Sequence, residues 1–190
     1  CFTGHKGLLG PQGIGGIIFT KEMAQTLTPL IAGGTGSFSH LETMPTNMPD
    51  TFEAGTLNLP GIIGLNEGVS YIESAGMENI HNHELALTKA FLEGLRSITG
   101  VNIIGKQDIQ DRTAVVSITI DDMDAASIAY ELESKYHIMT RVGLHCAPRA
   151  HQTLGTYPEG TVRFSLGYAN TLEDVDMALS ALHRILKNTK

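Results

Sequence analysis

The 190-residue chain is 42% hydrophobic and 17% charged, a balance that belongs to a globular protein and excludes a disordered one. Its net charge of -7, with no run of Lys and Arg, speaks against a nucleic-acid surface, and no apolar stretch reaches membrane-spanning length. Two cysteines, Cys1 and Cys146, are too few for a disulfide framework and fit a reducing cytoplasm.

The chain begins at Cys1 and runs directly into a glycine-rich loop, TGHKGLLGPQG, over residues 3–13. Glycine accepts dihedral angles that let donors crowd round an anion, and Lys6 in such a loop is a candidate for Schiff-base chemistry. Termini fray, whereas an anion-holding loop must be rigid, so we expect these residues to be the C-terminal part of something longer. The apolar run IGGIIFT over 14–20 predicts a short buried strand, and 21–27 a brief helix stopped by Pro29. Residues 30–50, rich in Gly, Ser, Thr, Asn and Pro, read as a long functional loop.

A helix is expected over 61–75, with Ile62, Leu65, Val69 and Ile72 at helical spacing and Gly76 as its stop. A longer helix starts near Asn79, carries Ile80, Leu87, Phe91, Leu95 and Ile98 on one stripe, and ends at Gly100. Beyond it the pattern is mixed α/β. Strands are expected at 101–104 and 114–120, where Val116, Ile118 and Ile120 alternate with other positions. A helix over 124–135, capped by Asp121 or Asp122, a short strand at 138–141, a loop at 142–148 and a strand at 161–165 follow. Thr171 and Asp174 form a capping box for a terminal amphipathic helix that buries Leu172, Val175, Leu179, Leu182 and Leu186. A domain boundary falls near 76–80.

The loop RVGLHCAP at 141–148 sets a cysteine beside a histidine, with an arginine five residues upstream, where positive charge favours a thiolate. Arg163, in mid-strand, offers a planar fork matched to a carboxylate and needs a partner or a site edge. His145, Cys146 and His151 could alternatively supply three zinc ligands, but no fourth stands at recognisable spacing.

Four motifs in order, Thr3-Gly-His-Lys6, FEAGT at 52–56, RxGxHCAP at 141–148 and VRxSL at 162–166 with YxNT at 168–171, resemble the class V aminotransferase family of pyridoxal-phosphate enzymes, within it the cysteine desulfurases. The resemblance implies an α/β fold of the type I transferase class. Residues 1–77 would be the C-terminal part of the cofactor-binding large domain. Residues 78–190 would be a bridging helix and a small α/β domain with an antiparallel sheet. It implies that Lys6 holds pyridoxal 5'-phosphate, that His5 and Thr3 reach its phosphate, and that Thr56 reaches the phosphate of a neighbour in a homodimer. Arg163 would bind the substrate carboxylate. Cys146 would take sulfur from cysteine to leave alanine and a persulfide, with Arg141 as electrostatic support and His145 as a proton-transfer group. The persulfide would pass to a sulfur-acceptor protein.

The family is about twice this length, and its first half carries other cofactor contacts, so the 190 residues alone are expected to be inactive. Leu144 stands where close relatives often have a second histidine. The same motifs also accommodate a general aminotransferase or a selenocysteine lyase acting on selenocysteine, and a non-catalytic partner-binding domain is the remaining alternative.

Overall fold

The computed structural model describes residues 1–188, and the chain divides into two compact units, Cys1–Met77 and Glu78–Lys190. In the first, strand β1 (Phe2–Thr3) pairs antiparallel with β2 (Gly15–Gly16), which closes residues 4–14 into a loop. Helix α1 (Lys21–Thr26) is capped by Thr20, whose hydroxyl accepts from the Met23 amide. A long irregular stretch, broken by one 3-10 turn at Asp50–Phe52, leads to α2 (Leu59–Ala75). Asn58 caps α2, and Gly76 stops it at φ 83°.

Three expectations for this unit are corrected. The apolar run at 14–20 is not a buried strand: only Gly15 and Gly16 pair, and Ile17 and Ile18 are 54% and 84% exposed. A strand is buried only where neighbours and a covering layer exist, and here its one partner is the two-residue β1. The stripe along α2 is not its packed face either, since Ile62 and Val69 are exposed while Gly61 and Gly68 are buried. The helix itself starts at Leu59, because Asn58 rather than a later residue accepts from the Gly61 amide.

The second unit contains α3 (Met77–Arg96, entered from the last residue of the first unit), β3 (Val101–Ile104), β4 (Val115–Ile120), α4 (Ala125–Tyr136), β5 (Arg141–Gly143), α5 (Pro148–Leu154), β6 (Thr161–Ser165) and α6 (Leu172–Asn188). Its four strands form an antiparallel sheet in the order β3-β4-β6-β5, the α/β architecture expected from the sequence. The register sets Val116 opposite Phe164 and Ile118 opposite Val162, so these four share one face and all are buried. Phe91 and Leu95 of α3, Ile128 and Leu132 of α4, and Val175, Leu182 and Ile185 of α6 join them in one core. The rings of Phe91 and Phe164 lie 4.9 Å apart. Side chains of this size contribute about 1.5–3 kcal/mol each when fully buried.

The capping box at the start of α6 is reciprocal: the Thr171 amide donates to Asp174 Oδ2 at 2.9 Å and the Asp174 amide to Thr171 Oγ1 at 3.3 Å. Leu172, expected on the buried face, is 58% exposed because it opens the helix ahead of the first turn that meets the core. Ile98 is buried but lies beyond α3, which ends at Arg96.

Three boundaries move. Helix α4 is capped by Asp124, not Asp121 or Asp122, with Oδ2 accepting from the Ser127 amide at 2.9 Å. Strand β5 lies at 141–143 instead of 138–141, because His137 turns left-handed to end α4 and the Ile138 amide bonds back to Leu132 O at 3.0 Å. Finally, helix α5 starts at Pro148, the last residue of the expected loop, and runs to Leu154, where no element was expected. Among the described residues no helix is long and apolar enough to cross a membrane.

Candidate active site

The loop that bears Lys6 is fixed by its own backbone. The Gly4 amide donates to Ile14 O at 2.9 Å, the Gly10 amide to Gly4 O at 2.8 Å, and the Leu9 amide to Lys6 O at 3.0 Å. Asn58 ties the loop to α2 by donating from Nδ2 to Gly13 O while its Oδ1 caps the helix. The loop lies directly on α2 because that helix offers glycines at 64 and 68. A Cβ on Gly68 would stand 2.4 Å from Leu8 O, and one on Gly64 2.8 Å from the Pro11 ring. Their spacing of four residues is a signal in the sequence, but glycines carry no hydrophobic weight and an apolar stripe does not register them.

Lys6 is exposed on this loop, next in sequence to His5, whose Nδ1 lies 2.9 Å from the Thr3 hydroxyl. Thr3 and His5 therefore come together, and Lys6 follows them on the same loop. Thr56 sits on a separate loop. The Gly55 amide beside it donates to Gly34 O at 2.7 Å, and Asp50 braces the same region by accepting from Ser37 Oγ and Asn47 Nδ2.

In the second unit the remaining candidates gather on the sheet face opposite the core and on the loop after β5. Arg141 and Arg163 stand directly opposite each other across β5 and β6. Like charges so placed repel, an arrangement that an anion between them would relieve. Arg163 is half-buried, and its Nε is buried without a hydrogen-bond partner. Such a donor costs free energy until something accepts from it.

The loop itself is strained. His145 and Cys146 take successive left-handed conformations, with φ 52° and 61°, after Gly143 at φ 99°. For residues with a Cβ each such conformation costs about 1–3 kcal/mol, and it persists where surroundings hold it. What holds it is visible: His145 Nε2 donates to Arg141 O at 3.0 Å, Arg141 Nη2 donates to Cys146 Sγ at 3.4 Å, and the Ala147 amide closes the turn on Leu144 O. Gly160 packs onto the same turn so closely that a Cβ there would fall 2.3 Å from Gly143 C. Cys146 is exposed.

His145 is held toward its neutral form. Partial burial is the main cause, and the positive fields of Arg163, His151 and Arg141 add to it, against the bond to Arg141 O. With Nε2 donating, its Nδ1 carries the lone pair. His151 is buried on α5 and bonds Thr156 Oγ1 through Nδ1 at 2.8 Å. Among the described residues no group of three or more His, Cys, Asp or Glu could hold a metal ion.

Comparison with known proteins gives a consistent picture. The family model for aminotransferase class-V matches residues 1–178. A protein of Pyrococcus abyssi named probable cysteine desulfurase is 35% identical over 193 residues, covering 100% of this chain and 47% of that protein. Probable cysteine desulfurase 2 of Mycobacterium leprae is 34% identical, over 98% of this chain and 44% of its own length. Among solved structures, the apo cysteine desulfurase of Thermococcus onnurineus superposes with a TM-score of 0.89 at 35% identity, over 98% of this chain and 46% of that one. The Escherichia coli cysteine desulfurase CsdA, in an S-sulfonic acid form, gives a TM-score of 0.85 at 28% identity, over 97% and 45%. The chain thus spans about half the length of the relatives it matches.

Proposed function

The chain belongs to the aminotransferase class-V family, and on that premise we propose that it is part of a pyridoxal-phosphate-dependent cysteine desulfurase, carrying the cofactor lysine and the sulfur-accepting thiol. In this reading residues 1–77 are the C-terminal part of the cofactor-binding large domain, and residues 78–190 are the bridging helix and small domain. Turnover belongs to the whole cytoplasmic homodimer, and the 190 residues by themselves are inactive. The observation that carries the reading is the thiol of Cys146, exposed on a strained turn with Arg141 Nη2 at 3.4 Å, on the unit that also holds the unpartnered Arg163 Nε.

The residues present fit the cofactor and its amino-acid substrate. An exposed primary amine sits on a backbone-bonded loop that also carries a hydrogen-bonded hydroxyl and imidazole, and a buried guanidinium N–H lacks an acceptor. Lys6 would hold the cofactor through its amine, Thr3 and His5 would contact its phosphate, and Thr56 would contact that of the neighbouring subunit. When bound, the cofactor supplies an electron sink at the substrate α-carbon.

The protein's own groups do the rest. Arg163 grips the substrate carboxylate as a bidentate fork, and Arg141 completes the positive face. With its amine free, Lys6 would move the α-proton. Cys146 Sγ attacks the sulfur of the substrate; the S–S bond forms as the Cβ–S bond breaks, and the electron pair left on Cβ takes up a proton to give alanine. Neutral His145 is the group at hand for proton transfer at the sulfur end. The persulfide then passes to an acceptor protein at the exposed loop. A general aminotransferase or a selenocysteine lyase would share Lys6 and Arg163; the seated thiol of Cys146 favours the desulfurase.

Borohydride reduction of the whole protein with pyridoxal phosphate, followed by peptide mass mapping, tests the cofactor assignment. The reading expects one label, on Lys6, and none in Lys6→Ala. A stable label on another lysine would remove it.

A further inference from the structure

One titratable side chain near the thiol has no part in the chemistry above. His151 is 6% exposed and Thr156, its hydrogen-bond partner at 2.8 Å, is 7% exposed. An apolar pair would fill that space without the cost of burying an imidazole and a hydroxyl. A satisfied polar pair fixes direction as well as volume.

The direction is informative. The His151 ring stands 5.5 Å from that of His145, at an interplanar angle of 40°. His145 in turn bonds Arg141 O, and Arg141 bonds the thiol of Cys146. The backbone follows the same path. The His151 amide donates to Ala147 O at 3.2 Å, the Thr156 amide to His151 O at 2.9 Å, and the Gly160 amide to Thr156 O at 2.6 Å. Gly160 then presses on Gly143, at the start of the strained turn.

We propose that His151, oriented by Thr156, is a positioning residue that holds the His145 ring and through it the left-handed turn presenting Cys146. The proposal rests on the reading of Cys146 as the sulfur-accepting thiol. His145 is faced by Arg141 on β5, Arg163 on β6 and His151 on α5, and Cys146 is faced by Arg141. Removing the His151 ring admits water beside His145 and takes away one of these neighbours, so His145 protonates at higher pH.

Two substitutions in the whole protein separate positioning from simple support. His151→Asn retains a polar atom near Nδ1 for Thr156 and deletes the ring that faces His145. Thr156→Val keeps the ring and deletes its tether. We expect His151→Asn to keep its melting temperature and its KM for cysteine, to lose about tenfold in kcat, and to move the acid limb of the pH–rate profile upward. Thr156→Val should do the same to a smaller degree. Alkylation of Cys146 by iodoacetamide, followed by mass spectrometry against Cys1 as internal reference, should show the same change of pH dependence without any cofactor or turnover. Unchanged kcat, pH profile and alkylation in His151→Asn would overturn the proposal, as would a lowered melting temperature with full turnover per folded molecule. Desulfurase turnover retained in Cys146→Ala would instead remove the underlying reading, and the positioning proposal with it.

Discussion

The two units of this chain solve the burial problem differently. Every buried hydrophobic side chain of the core, from Leu87 to Ile185, belongs to the second unit. In the first, the buried positions are Gly4, Pro45, Thr51, Gly61 and Gly68, whereas Ile18, Leu30, Ile31 and Ile63 are 84%, 99%, 74% and 63% exposed. The second unit is closed by a hydrophobic core, while the first is held by backbone hydrogen bonds and by backbone lying on glycine. Under the proposed function, a loop that offers an amine to a cofactor gains rigidity this way without filling its own site with side chains. The open apolar surface of the first unit is consistent with relatives about twice the length.

The sharpest way to break this contrast is to separate the units. Residues 78–190 expressed alone should show a cooperative thermal transition by circular dichroism, and residues 1–77 alone should show none. A cooperative transition in the shorter piece would mean that its stability has a source other than the contacts described. Next comes the cost of truncation. Phe91→Ala should lose about 3–5 kcal/mol in urea unfolding, whereas Ile63→Ala should stay within about 0.5 kcal/mol.

Adding a side chain tests the opposite weakness. Gly160→Ala, at φ 79° and with Gly143 in the way, should cost at least about 2 kcal/mol. In the first unit Gly68→Ala should displace Leu8 and with it the Lys6 loop, lowering cofactor content by absorbance in the whole protein while Ile63→Ala leaves it intact.

The smallest effect is at the cap of α6. Asp174 ionises below its ordinary range because the Thr171 amide and Asn170 side chain donate to it. The unfolded chain therefore binds more protons near pH 4, so this contribution is present above the unfolded pKa and fades as pH falls through the folded one. Asp174→Ala should flatten that part of the stability curve in acid urea titrations, and an unchanged curve would deny the cap its role.

Where the fold was local, the sequence was readable. The alternation of Val116, Ile118 and Ile120, the α3 stripe of Leu87, Phe91 and Leu95, and the Thr171–Asp174 box all stand where spacing put them, because each is set by a period or by neighbours three residues apart. What could not be read depended on partners distant in sequence. The exposure of Ile17 and Ile18 follows from the lack of a covering layer. The shift of β5 follows from a left-handed residue, His137, that looks ordinary in a string of letters.

The proposed site follows the same rule. Lys6, Arg163 and Cys146 are proposed from motif and residue type. Their supports were not: the facing of Arg141 and Arg163 needs strand register, and the contact of His145 with His151 needs α5, a helix of under two turns.

The account stands on Cys146 being the atom that receives sulfur while Lys6 serves the cofactor. The most direct measurement is to give the whole protein cysteine, trap thiols by alkylation and locate the added sulfur by peptide mass. It should be found on the peptide bearing Cys146, with alanine released in equal amount, and should vanish in Lys6→Ala. Added sulfur on another residue, or alanine formed with none on Cys146, would contradict it.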